Sequence, residues 1–75
     1  MTLDQLRIFV EVAQRQHLTQ AAAALFLSPS AVSSSIKALE EHYGTALFHR
    51  IGRRIELSEA GRIFLAGAQR TLASV

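Results

Sequence analysis

The 75-residue chain has no cysteine and no tryptophan, one proline, four glycines and few aromatic residues. Without cysteine, a disulfide framework and any Cys-ligated zinc site are excluded. A single core below about 80 residues is marginal unless it is reinforced. Oligomerisation or a larger parent protein is therefore the expected reinforcement. The scarcity of Pro and Gly leaves little room for a turn-rich all-β fold, and the alanine content also favours helix. No apolar run approaches the ~20 residues of a membrane span, and Met1 leads into Thr2 and Asp4 without a signal-peptide pattern. These absences predict a soluble, cytoplasmic chain with no membrane partner. Hydrophobic residues make up 49%, which argues against disorder.

The formal net charge is only +2, but it is unevenly spread. Residues 1–42 carry Arg7, Arg15 and Lys37 against Asp4, Glu11, Glu40 and Glu41. Residues 43–75 carry Arg50, Arg53, Arg54, Arg62 and Arg70 against Glu56 and Glu59. Three arginines between positions 50 and 54 suit either a solvated loop or contact with a polyanion.

Thr2-Leu3-Asp4-Gln5 fits a capping box, so a first helix is expected from Leu3 to about Arg15 or Gln16, with Leu3, Leu6, Phe9, Val10 and Ala13 on its apolar face. Thr19 is the expected N-cap of a short second helix, Gln20 to Leu25. Ser28 then caps a third helix with Pro29 at its first position, where the missing N–H costs nothing. Projected at ~100° per residue, Val32, Ile36, Leu39 and Tyr43 share one face, and Ser30, Ser33, Ser34 and Lys37 the opposite one. Three short hydroxyls beside one cation permit close approach of a flat polyanion and can bond phosphate or base edges. Gly44 stops this helix.

Leu47–Ile51 and Arg54–Leu57 alternate apolar with polar residues around Gly52-Arg53, the pattern of a small hairpin displaying Arg50, Arg53 and Arg54. Ser58 caps a fourth helix running from Glu59 to the end of the chain. Gly61, Leu65, Ala68, Leu72 and Val75 form a heptad-spaced seam within an apolar arc wider than the ~100° stripe of a one-sided helix. One flank can cover the domain's own core, and Leu65, Ala68, Leu72 and Val75 are expected to meet a second copy. No stop signal follows Val75, so a longer helix or a frayed end is expected.

In this order the pieces predict a mainly α winged helix-turn-helix, with a three-helix core and a two-stranded β wing. The DNA-binding domain would occupy 1–58, with the helix-turn-helix at about 18–37 and the wing at about 48–57, and 59–75 would begin a linker or dimerisation helix. A helical protein-interaction module is the alternative, although it has little use for three arginines on a hairpin. His17, His42 and His49 show neither metal-ligand spacing nor a paired nucleophile, so no enzyme activity, metal or cofactor is expected in this domain.

Leu6-Arg7-Ile8-Phe9, Leu18-Thr19-Gln20-Ala21-Ala22, Leu27-Ser28, Ala31-Val32-Ser33, Ile36-Lys37, Leu39-Glu40, Leu47-Phe48-His49-Arg50 and Leu57-Ser58-Glu59-Ala60-Gly61 together resemble the amino-terminal domain of LysR-type transcriptional regulators. The resemblance covers essentially the whole chain. It implies a bacterial regulator that binds a near-palindromic operator as a homodimer, with a tetramer in the full-length protein. It also implies a nucleoid-associated location and a small-molecule co-inducer bound by an effector domain absent from this chain. The family usually has Gln-Pro where Pro29-Ser30 stands, and often Gln at Ser35, so base contacts made by that first Gln do not transfer to Pro29. A common Thr is replaced by Ile51, and Ser58 keeps the oxygen of the usual capping Thr. The expected contact set is Ser30, Ser33 and Ser34 on base edges, and Thr19, Lys37 and the Ser28-Pro29 helix start on phosphate. Arg53, with Arg54, is expected in the minor groove, and Arg50 either on DNA or folded back across the domain.

Overall fold

The computed structural model describes residues 1–52 and 54–75. Its elements run α1 (Leu3–Arg15), α2 (Leu18–Ala24), α3 (Pro29–Tyr43), β1 (Phe48–Ile51), β2 (Arg54–Leu57) and α4 (Glu59–Ala73). The capping box at α1 forms as expected: Gln5 N–H donates to Thr2 Oγ1, and Thr2 N–H donates to Gln5 Oε1.

The start of α2 departs from the expectation. The helix begins at Leu18, and His17 is its N-cap, with Nδ1 accepting from Gln20 N–H at 3.1 Å. Thr19 lies inside the helix instead. A neutral imidazole offers the same acceptor lone pair as a capping hydroxyl, and His17 stands in extended backbone where that lone pair can reach Gln20. At the other end, Leu27 N–H donates to Ala22 O and Phe26 N–H to Ala23 O, so the helix closes with Phe26 at φ 58°. That left-handed position usually belongs to glycine.

Ser28 Oγ accepts from Ala31 N–H, Pro29 opens α3, and Gly44 ends it at φ 67°. The axes of α2 and α3 bend by 106°, within the range of helix-turn-helix pairs. Buried Ala21 and Ala22 let α2 approach its neighbours closely, while Phe9, Val12, Val32, Leu39 and Leu47 fill the centre. Phe9 meets Phe48 at 5.1 Å and Phe64 edge-on at 4.9 Å, each pair adding about 0.5–1.5 kcal/mol beyond area burial.

In the hairpin, Phe48 pairs with Leu57, His49 with Glu56, Arg50 with Ile55 and Ile51 with Arg54. Because side chains alternate along a strand, Phe48, Arg50, Ile55 and Leu57 share the face toward the helices. Ile55 N–H reaches Gln16 O at 3.3 Å and ties the hairpin to the end of α1. Arg53, expected at the hairpin tip, lies outside the described residues.

At the start of α4, Ser58 Oγ accepts from Gly61 N–H and donates to Ala46 O at 2.7 Å. The helix runs to Ala73 with Ser74 as its cap, two residues short of Val75, consistent with the frayed end that was one of the two expectations. Of the seam expected to meet a second copy, Ala68 turns inward instead. Ala68 is 3% exposed and belongs to the chain's own core, and Leu65 and Leu72 pack half-buried against that core. One flank of the apolar arc thus covers the domain's own core, with α4 packed against α1. The outward apolar residues are Ile63 in the helix, 72% exposed, and Val75 beyond its cap, 73% exposed.

Candidate nucleic-acid interface

The α3 face predicted from the sequence is present. Ser30, Ser34 and Lys37 are exposed, Ser33 is half-buried, and Val32, Ile36 and Leu39 point into the core. Ser28 and Pro29 are exposed at the start of the helix. The first two turns therefore present hydroxyls without large apolar groups, since the hydrophobic positions are consumed by the opposite face.

Arg50 is placed beside these residues by the hairpin register. It follows buried Phe48 by two positions on the inward face, and its Nη2 donates to Ser33 Oγ at 3.5 Å. The guanidinium folds back toward α3 and remains exposed, so it bridges the wing and the third helix. It also borders two clefts. One, of about 320 Å³, brings Thr19, Arg50 and Arg54 together with His17. The other, of about 290 Å³, brings together Ser33, Lys37 and Arg50 with Glu40.

The ion pairs determine which cations remain available. Arg7 pairs with Asp4 at 3.4 Å and Arg15 with Glu11, so both cations of α1 are matched within their own helix. Arg54 pairs with Glu56 at 2.8 Å, yet its side chain is 65% exposed. Such a surface pair is worth about 0–1 kcal/mol and is readily exchanged for a polyanion. Among the described residues, neither Lys37 nor Arg50 is in an ion pair. Two of the cations outside these ion pairs therefore lie beside the serine face.

Two residues at this site escaped the sequence reading. His17 reads as an isolated histidine, yet it caps α2 and borders the cleft of Thr19 and Arg50. Glu40 enters the sequence reading only as one of the acids and as part of the Leu39-Glu40 pair, yet its carboxylate accepts backbone N–H groups from Leu47 and Phe48. No group of His, Asp or Glu among the described residues is arranged to hold a metal ion.

Three helices, with the second and third bent by 106° around a tight turn, a polar-faced third helix and a basic two-stranded hairpin make this a winged helix-turn-helix domain. The chain belongs to the lysR family of bacterial regulatory helix-turn-helix proteins, whose sequence profile matches residues 3–62. It is 49% identical over 73 residues to the HTH-type transcriptional regulator BudR of Klebsiella aerogenes, covering 97% of this chain and 51% of that protein. It is 47% identical over 72 residues to a probable RuBisCO transcriptional regulator of Thalassiosira pseudonana, covering 96% of this chain and 24% of that protein. The chain thus spans about half the length of the first relative and about a quarter of the second. Its fold is similar to the CbnR DNA-binding domain in complex with DNA, with a TM-score of 0.93 and 37% identity over 97% of this chain and 84% of that one.

Proposed function

We propose that this chain is the sequence-specific, double-stranded-DNA-binding part of a LysR-type transcriptional regulator. The observation that carries this reading is the open α3 face, where Ser30, Ser33 and Ser34 stand beside two cations, Lys37 and Arg50, that are in no ion pair among the described residues. The similarity to a LysR-type domain solved on DNA supports it. On this reading α3 enters the major groove. Ser30, Ser33 and Ser34 bond base edges, and Thr19, Lys37 and the Ser28-Pro29 helix start contact phosphates. Arg50 reaches the backbone from the inner face of the wing, and Arg53 with Arg54 enters the adjacent minor groove.

Serines rarely make the bidentate contacts that give about 1–3 kcal/mol of base discrimination each. Specificity per half-site is then modest, and a homodimer combines half-sites about one helical turn, or a multiple of it, apart on a near-palindromic operator. Leu65 and Leu72 on α4, each only half-buried, and exposed Val75 just beyond it support that dimer, with Ala68 taken up by the domain's own core. Tetramer formation, a nucleoid-associated location in the cytoplasm and a small-molecule co-inducer are proposed from family membership, the co-inducer site lying outside these residues. The alternative, a helical protein-interaction module, accounts for the apolar flank of α4 but gives no role to the cations beside the serines. Gel-shift with random duplex DNA at low salt separates the two, because a DNA-binding domain gives a salt-sensitive shift and an interaction module gives none.

A further inference from the structure

An acidic side chain stands where the proposed interface needs none. Glu40 borders the same cleft as Lys37 and Arg50, and its negative charge would oppose a polyanion there. Its contacts supply another role. Glu40 Oε2 accepts Leu47 N–H at 2.7 Å and Phe48 N–H at 3.3 Å, the two residues at the root of the hairpin. Hydrogen bonds to an ionised carboxylate are about twice as strong as neutral ones. The same root is held from its other side, where Ser58 N–H donates to Leu47 O at 2.9 Å and Ser58 Oγ donates to Ala46 O.

Glu40 and Ser33 lie seven residues apart on α3, so both fall on one side of the helix about 10 Å apart along its axis. Strand β1 runs beside that side. Its first residues are bound at Glu40, and Arg50, two residues past Phe48 and about 7 Å further along the strand, reaches Ser33. The strand is thereby clasped to α3 at two points, one charged and half-buried at the root, the other weaker and open to solvent.

We propose that Glu40 is a positioning residue for DNA binding, holding the wing root against α3 so that the Arg50 guanidinium stands beside the serine face. This rests on the DNA-binding reading above. Glu40 touches no nucleic acid; it acts through the place it gives Arg50.

Fluorescence anisotropy with a labelled random-sequence duplex tests the proposal, each variant being measured below its own melting transition. A charge effect and a positioning effect have opposite signs. Glu40→Ala removes a like charge from the interface but weakens binding about five- to tenfold, because the wing root is released. Glu40→Gln, which keeps an acceptor oxygen at the same reach, stays within about twofold of the unmodified chain. Glu40→Asp, one methylene shorter, keeps the charge, withdraws the acceptor and weakens binding; with Glu40→Gln it carries the test if Glu40→Ala does not fold. In an Arg50→Ala background the Glu40→Ala effect falls below about twofold, whereas in a Lys37→Ala background it persists in full. Equal or tighter binding by the Ala and Asp variants, or an undiminished effect in the Arg50→Ala background, overturns the proposal alone. Absence of any salt-sensitive binding by the unmodified chain overturns the DNA-binding reading and the proposal with it.

Discussion

The Arg50 guanidinium donates to the Ser33 hydroxyl at 3.5 Å, joining the inner face of the hairpin to the outward face of α3. The hydroxyl spends an acceptor site on the arginine, which leaves its own O–H free to donate outward. Ser33 is therefore set to meet an acceptor, such as a phosphate oxygen or the N7 or O6 of guanine. At 3.5 Å the bond is at the long limit of a hydrogen bond, so it orients the guanidinium without tying it away from a phosphate.

Arg50→Ala is expected to weaken binding to random duplex DNA about tenfold and to lower the slope of log affinity against log salt by about one unit. Arg50→Lys retains the charge and therefore the slope, while losing the fork that reaches Ser33. Anisotropy titrations across a salt series distinguish the two variants.

Phe26 stands at φ 58° and is 96% exposed, so its ring gains nothing from packing in the free chain. A left-handed conformation costs an L residue about 1–2 kcal/mol, and glycine escapes that cost at the price of greater freedom when unfolded. Phe26→Gly is expected to raise stability by about 0.5–1 kcal/mol, read as a higher denaturation midpoint at unchanged m value.

Among the described residues, the hydroxyl oxygen of half-buried Ser35 is shielded from solvent and has no hydrogen-bond partner. Burying an unpaired hydroxyl costs about 1–3 kcal/mol, and alanine is the better helix former. Ser35→Ala is expected to raise the melting temperature by several degrees, roughly 4–8 °C per kcal/mol for a domain of this size. A calorimetric scan measures it directly.

Gly61 has no room for a side chain. A Cβ there would lie 2.1 Å from Leu47 O and 2.9 Å from a Leu57 methyl, and the carbonyl is backbone that cannot step aside. Gly61→Ala is expected to cost about 1–3 kcal/mol or more by forcing α4 off the wing root, despite the better helix propensity of alanine. Urea denaturation gives the loss.

The parts legible in the sequence are those decided within one turn of chain. Thr2, Ser28 and Ser58 announce their helices because a capping oxygen reaches only three residues ahead, and Gly44 ends α3 for an equally local reason. His17 was hidden because an imidazole caps only when the backbone turns its Nδ1 toward Gln20. The serine face of α3 followed from periodicity, but the reach of Arg50 to Ser33 spans seventeen residues and depends on how the hairpin packs. The role of Glu40 was hidden for the same reason, since its partners Leu47 and Phe48 meet it only after the chain reverses at Gly44. The spacing of Leu65, Ala68 and Leu72 revealed an apolar seam without revealing its partner. Packing of α1 against α4 takes Ala68 into the domain itself and leaves Leu65 and Leu72 half-buried.

The central claim is that α3 and the wing form a DNA-binding face, and the most direct measurement is the affinity for random duplex DNA as a function of salt. The account predicts micromolar to submillimolar binding at physiological salt that strengthens steeply on dilution, with a linear log–log slope of several units. No binding at low salt, or binding indifferent to salt, would contradict it.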